Sequence, residues 1–165
     1  MKKMSSAAQK WLKSFHVFFS CLWAGGAMSL VLQFFFLKAG DGMQLYGITQ
    51  SMKFIDDFII IPGALGCLLT GILYSSLTNW GWFKHRWITV KWCVNFYGVV
   101  FGTIWLGPWL NSLPPIAKAE GMAAFSNAVY AHNQEMLYYF GTFQACTLVF
   151  ALFISTLKPW RGNKS

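Results

Sequence analysis

Four stretches of this sequence are each long and apolar enough to cross a lipid bilayer, at about 12–37, 55–78, 87–110 and 136–157. A hydrocarbon core about 30 Å thick needs roughly 20 helical residues. Hydrophobic residues make up 56% of the chain and charged residues 11%, whereas soluble domains have about 25% charged residues. The sequence therefore predicts an all-α integral membrane protein. We expect a four-helix antiparallel transmembrane bundle that forms a single domain over residues 1–165.

The first stretch begins with basic residues, as a secretory signal peptide does. Its apolar part is longer than the roughly 7–15 residues of a signal peptide, and no small-residue cleavage site follows it. We expect it to be a retained membrane helix.

The net charge of +8 is distributed unevenly between the two sides of this predicted bundle. Most basic residues lie at the two termini and in the second connection: Lys2, Lys3, Lys10, Lys13, Lys84, Arg86, Lys158, Arg161 and Lys164. The other side holds all the acidic residues: Asp41, Asp56, Asp57, Glu120 and Glu135. Lysine and arginine mark the cytoplasmic side of a membrane protein, so we expect both termini to be cytoplasmic, in a bacterial inner membrane. The basic charge then reflects topology and attraction to anionic lipid, and no nucleic-acid binding is predicted.

Prolines and glycines mark expected irregularities in the helices. Pro62-Gly63 is predicted to kink the second helix, and Pro114-Pro115 to end the third. Residues 116–134 are predicted to lead into the fourth helix along the outer surface. Gly98 and Gly102 form a GxxxG pair, which favours close helix contact. Such contact suits a homodimer or a larger membrane complex as well as a single bundle.

His16 and Lys91 are polar residues inside predicted membrane helices. His16 lies about five residues into its helix, or ~7 Å below the inner surface. It is either an axial ligand of haem b, a cofactor that helical bundles hold between facing helices, or an interfacial histidine bonded to a neighbouring helix. A lysine inside a membrane helix costs roughly 2.5–3.5 kcal/mol. Lys91 is therefore either functional or long enough to reach the headgroups.

The first and third helices enter from the same side, so His16 and Lys91 are expected at a similar depth. With Ser20 and Asn95 they are predicted to form one polar pocket near the inner leaflet. Lys91 and Asn95 are the candidate catalytic residues, and His16 is the candidate ligand of the haem iron. Ser20, Lys91 and His85 are the further candidate cofactor-binding residues, although His85 lies in a connection and is a weaker candidate.

An outer group of polar residues has two interpretations. Asp56, Asp57, His132, Asn133 and Glu135 form either a metal or proton entry site or a solvated collar at the helix ends, and we favour the collar. His132 cannot share an iron with His16, because the two lie on opposite sides. The four cysteines occupy four different helices without CxxC spacing, which indicates packing residues. The sequence contains no motif of a soluble hydrolase or nucleotide-binding enzyme.

Phe15-His16 is followed by Trp23 at plus seven and by Gly26 at plus ten. With this pattern the first helix resembles the start of the HemJ-type protoporphyrinogen oxidases, which open with a similar His…Trp-x-x-Gly pattern. Gly81-Trp82, Lys91 and the closing Lys158-Pro159 are similar too. Two features depart from the family: Val31-Leu32 replaces its Pro-Arg pair, and residues 133–136 do not reproduce its Asn-Glu-x-Pro entry to the last helix. The resemblance implies a four-helix fold and a role for His16 and Lys91, but not the protoporphyrinogen activity.

A wider resemblance is to small four-span bacterial membrane proteins of the CopD-like group, and to a family of integral membrane proteins of unknown function. Asp57, Ile61-Pro62-Gly63 and Thr70-Gly71 are similar to the second span of that last family.

We therefore expect a haem b-associated membrane redox protein that exchanges electrons with quinone or a porphyrin. The alternative is a cofactor-free protein: a transporter subunit, a metal or small-solute permease, or an assembly partner.

Overall fold

The computed structural model describes residues 4–78 and 81–158, and the regular structure in these ranges is helical. The α-helices are α1 Ser6–Phe36, α2 Gly42–Ile55, α3 Ile61–Leu77, α4 Arg86–Phe101, α5 Gly107–Glu120, α6 Ala128–Met136 and α7 Thr142–Leu157. Three π-helical turns join them in pairs, at Asp56–Ile60, Gly102–Leu106 and Leu137–Gly141, and a 3-10 helix follows α5 at Gly121–Ser126. Of the residues used in the sequence predictions, Lys2, Lys3, Pro159, Arg161 and Lys164 lie outside the described ranges.

These elements combine into four continuous helices that are long and apolar enough to cross a membrane, namely Ser6–Phe36, Gly42–Leu77, Arg86–Ser126 and Ala128–Leu157. The prediction of an all-α chain with four membrane-spanning helices is confirmed at this level. We call the end of the molecule that holds the start of α1 and the end of α7 the inner end, and the opposite end the outer end. At the outer end the second, third and fourth helices are longer than predicted.

The outer extensions have a hydrophobic core of their own. Its buried members are Leu45, Met52, Leu110, Leu113, Ala117, Ala124, Tyr130 and Leu137, from α2, α5, the 3-10 helix, α6 and the last π turn. A separate core lies nearer the middle of the bundle: Trp23, Ala24, Ala27, Cys67, Ala145 and Leu148. Burial of apolar side chains stabilises helices that propensity alone would not sustain. The outer core thus explains why the helices continue beyond the predicted spans.

The prediction that Pro114-Pro115 ends the third helix is wrong, because both prolines lie inside α5. A proline in a helix interior costs about 3 kcal/mol or more, through a lost hydrogen bond and a steric clash. Against this cost, Leu110 and Leu113 are only 2% and 1% exposed, and full burial of each leucine contributes roughly 1.5–3 kcal/mol. Packing of α5 into the outer core therefore overrides the local preference of the prolines.

The helix ends instead at Gly121, which has a φ of +56°. Glycine adopts this left-handed region readily because it has no Cβ. The same turn lies against α2: a Cβ added to Gly42 would lie 2.7 Å from the Cα of Gly121. The end of α5 is thus fixed by a contact between two glycine backbones.

Pro62 and Pro108 each lie just after a π turn, at Asp56–Ile60 and Gly102–Leu106. In both turns the N–H before the proline bonds to the carbonyl five residues earlier. A π turn widens the helix locally, which makes room for a proline ring that would clash with a carbonyl in a regular α-helix. The second helix therefore continues through the predicted kink site at Pro62.

In the contacts between the first two long helices, residue numbers rise along one helix as they fall along the other. At the inner end the Met4 N–H donates to the Leu77 carbonyl at 3.4 Å, and at the outer end Ser51 Oγ donates to Gln33 Oε1 at 2.7 Å. The third and fourth helices show the same order, through Lys91 with Ser155 and Ser112 with Asn133.

The GxxxG glycines make their contacts within the chain. A Cβ on Gly98 would lie 2.8 Å from the Trp23 ring, and one on Gly102 would lie 3.6 Å from Gln144 Nε2. The predicted close contact of these two glycines is therefore made between helices of the same chain.

Candidate functional site

A cavity of about 380 Å³, here called the inner cavity, lies between all four long helices at the inner end. Its polar lining includes His16, Ser20, Cys67, Lys91, Asn95 and Ser155. Its apolar lining includes Trp23, Trp87, Ile88, Leu148 and Leu152. The structure thus brings together His16, Ser20, Lys91 and Asn95, the four residues that the sequence analysis placed in one pocket.

His85 does not belong to this group. It is the residue before α4, and its ring stacks on Trp87 with 6.1 Å between the centroids. It is not among the described residues that line the cavity. The structure therefore does not place His85 beside His16.

His16 is held by Thr70 of α3. Its Nδ1 lies 2.9 Å from Thr70 Oγ1. The Thr70 hydroxyl donates to the Gly66 carbonyl at 2.6 Å, so its single proton is already used. On this assignment Thr70 Oγ1 accepts from Nδ1–H of His16, which leaves Nε2 of the neutral ring without a proton. Because no described residue hydrogen-bonds to Nε2 and His16 lines the cavity, its lone pair is available as a ligand or a base.

Lys91 contributes a positive charge to the inner cavity. Its Nζ donates to Ser155 Oγ on α7 at 3.0 Å and lies 6.0 Å from the centroid of the Trp87 ring. No carboxylate lies within salt-bridge distance of Lys91 in the described part of the chain, where the one ion pair joins Lys53 to Asp57. An ammonium inside a membrane helix without a counter-ion is costly, so an anionic group in the cavity would stabilise it.

Contacts among Ser20, Cys67 and Asn95 connect α1, α3 and α4. Ser20 Oγ donates to the His16 carbonyl at 2.7 Å and lies 3.2 Å from Cys67 Sγ. Asn95 Nδ2 donates to the same sulfur at 3.5 Å. Asn95 Oδ1 is buried and has no hydrogen-bond partner among the described residues. A buried carbonyl oxygen without a partner costs free energy. A bound molecule with a hydrogen-bond donor would therefore stabilise Asn95, as an anionic group would stabilise Lys91.

Among the described residues, the charged side chains that line the cavity are all basic. Lys13, Lys91 and Lys158 line it, and no aspartate or glutamate among the described residues does. The positive charge of these lysines and the apolar walls together favour binding of a molecule with an apolar body and a neutral or anionic polar group.

Several of these partners were not identified from the sequence as site residues. Cys67 was interpreted as a packing residue, yet it lines the cavity, and Thr70 and Ser155 were not recognised as partners of His16 and Lys91. The one available signal was the small-residue row on α3, which contains Cys67, Thr70 and Gly71. That row indicates close packing and does not reveal which side chain faces it.

The outer polar residues are not gathered into one site. Asp57 pairs with Lys53 at 2.8 Å, and Lys53 also donates to Asn111 at 2.8 Å. His132 and Glu135 are exposed. No group of three or more histidine, cysteine, aspartate or glutamate residues in the described ranges is arranged to hold a metal ion.

Comparison of the chain with protein-family models, with curated proteins and with solved structures found no match. The candidate function therefore depends on the geometry of the inner cavity and on the resemblance noted in the sequence.

Proposed function

We propose that this protein is a b-type haem membrane redox protein that holds its cofactor in the inner cavity. In this proposal the four helices form an antiparallel bundle in a bacterial inner membrane with both termini in the cytoplasm. Residue numbers rise along one helix as they fall along its contact partner, which supports the antiparallel arrangement. The basic residues near the inner end support the orientation. The inner cavity then lies in the cytoplasmic leaflet.

The observation that carries the proposal is the contact between His16 Nδ1 and Thr70 Oγ1. Histidines that bind metals usually donate their second ring N–H to a neighbouring acceptor, which fixes the ring and raises its basicity. Thr70 Oγ1 provides that acceptor at 2.9 Å. His16 would bind the haem iron through Nε2, and Thr70 would orient the ring.

The other cavity residues fit the rest of this cofactor. Haem b has an apolar ring and two propionates, so it matches apolar walls with positive charges. Lys91 would pair with a propionate, and Ser20 would line the opposite wall beside Cys67. The cavity volume of about 380 Å³ lies in the range of roughly 300–1,000 Å³ that is usual for ligand and cofactor sites.

A bound haem supplies one-electron chemistry. The electron partner is proposed to be a quinone or a porphyrin, since both are lipid-soluble and carry oxygens that accept hydrogen bonds. Lys91 is proposed to donate to one of those oxygens, and Asn95 Oδ1 is proposed to accept from the hydroxyl that a quinone carries once it is reduced.

Absorption spectra of purified variants test this assignment. The variant His16→Ala should lose the haem band, whereas His85→Ala, the matched control outside the cavity, should keep it. Lys91→Met should retain less haem than wild type, because one propionate loses its counter-ion. An unchanged spectrum in His16→Ala would refute the ligand assignment. A colourless wild type would favour the cofactor-free alternative, a transporter subunit, permease or assembly partner.

A further inference from the structure

A second cavity, of about 260 Å³, lies in the outer part of the molecule, and we call it the outer cavity. It lies between the end of α1, α2, α5, the 3-10 helix and α6, and it shares no lining residue with the inner cavity. Its volume is smaller than the volume of about 380 Å³ of the inner cavity. The outer cavity therefore suits a smaller ligand than the inner cavity does.

Tyr130 presents the most unusual polar group in this cavity. It is 1% exposed, and its ring packs edge-on against Phe125, with 5.7 Å between the centroids. Both rings line the cavity. No residue in the described ranges hydrogen-bonds to the Tyr130 hydroxyl, and this oxygen is not among the fully enclosed polar atoms, so it is accessible from the cavity. A molecule in the outer cavity would supply that partner.

The other polar groups at this cavity are two glutamine amides, one lysine and the Thr49 hydroxyl, which donates to helix carbonyls. Gln33 Oε1 accepts from Ser51 Oγ at 2.7 Å, and its Nε2 has no acceptor among the described residues. Lys38 lines the cavity, is exposed, and adds a positive charge. Gln134 adds an amide, and no aspartate or glutamate among the described residues lines this cavity. The electrostatics therefore favour an anionic acceptor and disfavour a cation.

The remaining walls are apolar. They are formed by Phe34, Leu37, Leu45, Ile48, Met52 and Leu113. A ligand that satisfies both parts of the cavity has one anionic head and a short hydrocarbon tail.

We propose that the outer cavity binds a short-chain organic carboxylate. Lys38 and Tyr130 hold the carboxylate, and the apolar walls cover the tail. This site is separate from the haem proposal, because the two cavities share no residue and lie at opposite ends of the bundle.

Isothermal titration calorimetry of the purified full-length protein in detergent tests the proposal with three probes of equal chain length. Hexanoate should bind, hexanol should bind more weakly, and hexylamine should not bind. In Tyr130→Phe the affinity for hexanoate should fall roughly tenfold, as expected when a hydrogen bond to a charged group is lost. In Lys38→Gln it should fall by up to about fivefold, because Lys38 is exposed. The control Lys118→Gln removes an exposed outer lysine that does not line the cavity and should leave the affinity unchanged.

Two results would overturn the site. The first is no heat of binding for hexanoate, or equal affinity in wild type, Lys38→Gln and Tyr130→Phe. The second is binding that is lost in Lys91→Met and kept in Tyr130→Phe, which would place hexanoate in the inner cavity. Because Lys38 is exposed, Lys38→Gln keeps the test valid even if Tyr130→Phe fails to fold.

Discussion

The contact between Gly63 on α3 and Trp23 on α1 provides a quantitative test of the fold. A Cβ at position 63 would lie 2.7 Å from Trp23 N and 3.1 Å from Trp23 Cα. Packed heavy atoms prefer separations of about 3.5–4.0 Å, so Gly63→Ala requires a shift of about 0.8 Å. Both opposing atoms belong to the backbone, so rotation of a side chain cannot relieve the clash. The two helices must move apart.

The cost follows from two opposing effects. Overpacking of a filled interface destabilises proteins by about 1–3 kcal/mol, whereas alanine is more favourable than glycine in a helix interior by about 0.8–1.0 kcal/mol. The control Gly25→Ala gains the same helix propensity but meets no atom within 4 Å. The difference in stability between the two variants therefore isolates the steric effect, at about 1–3 kcal/mol.

Unfolding in detergent micelles with increasing dodecyl sulfate, followed by circular dichroism, measures this difference. We expect Gly25→Ala to be as stable as wild type or slightly more stable, and Gly63→Ala to be the less stable of the pair. Equal unfolding midpoints for the two variants would refute the close approach of α1 and α3.

Three further predictions concern other contacts and use the same unfolding assay. Thr70→Val keeps the shape of the side chain but removes the acceptor for His16 Nδ1–H, so it should cost about 1–3 kcal/mol, whereas Thr70→Ser should cost less; equal losses would contradict the hydrogen bond. Lys53→Gln breaks an ion pair whose side chains are 31% and 36% exposed, so it should cost at most about 1 kcal/mol, and the loss should shrink at high salt. Leu113→Ala, at a site 1% exposed, should cost about 2–5 kcal/mol; a similar loss in Leu69→Ala, at a site 60% exposed, would argue against the outer core.

The sequence predicted the membrane helices and the depth of the polar residues because both depend on local patterns. Apolar runs of sufficient length identify a membrane helix without any knowledge of its neighbours. His16 and Lys91 were predicted at one depth from their distance to the helix starts, and both line the inner cavity. Their functional roles remain predictions.

The errors and omissions arose where tertiary contacts decide the outcome. Pro114-Pro115 carries a strong local signal for a helix end, but burial of Leu113 in the outer core outweighs it. The partner of His16 depends on the rotation of α3, which places Thr70 against the ring. The outer cavity depends on the packing of several helices, so no local sequence pattern predicts it.

The most direct test of the haem proposal is the visible absorption spectrum of the detergent-purified wild-type protein, produced with haem supplied during expression. The spectrum is recorded in the oxidised state and again after reduction with dithionite. The proposal predicts a Soret band that shifts and sharpens on reduction, as a b-type haem does. A flat spectrum in both states would contradict it, and the inner cavity would then have to be assigned to a colourless ligand or transported solute.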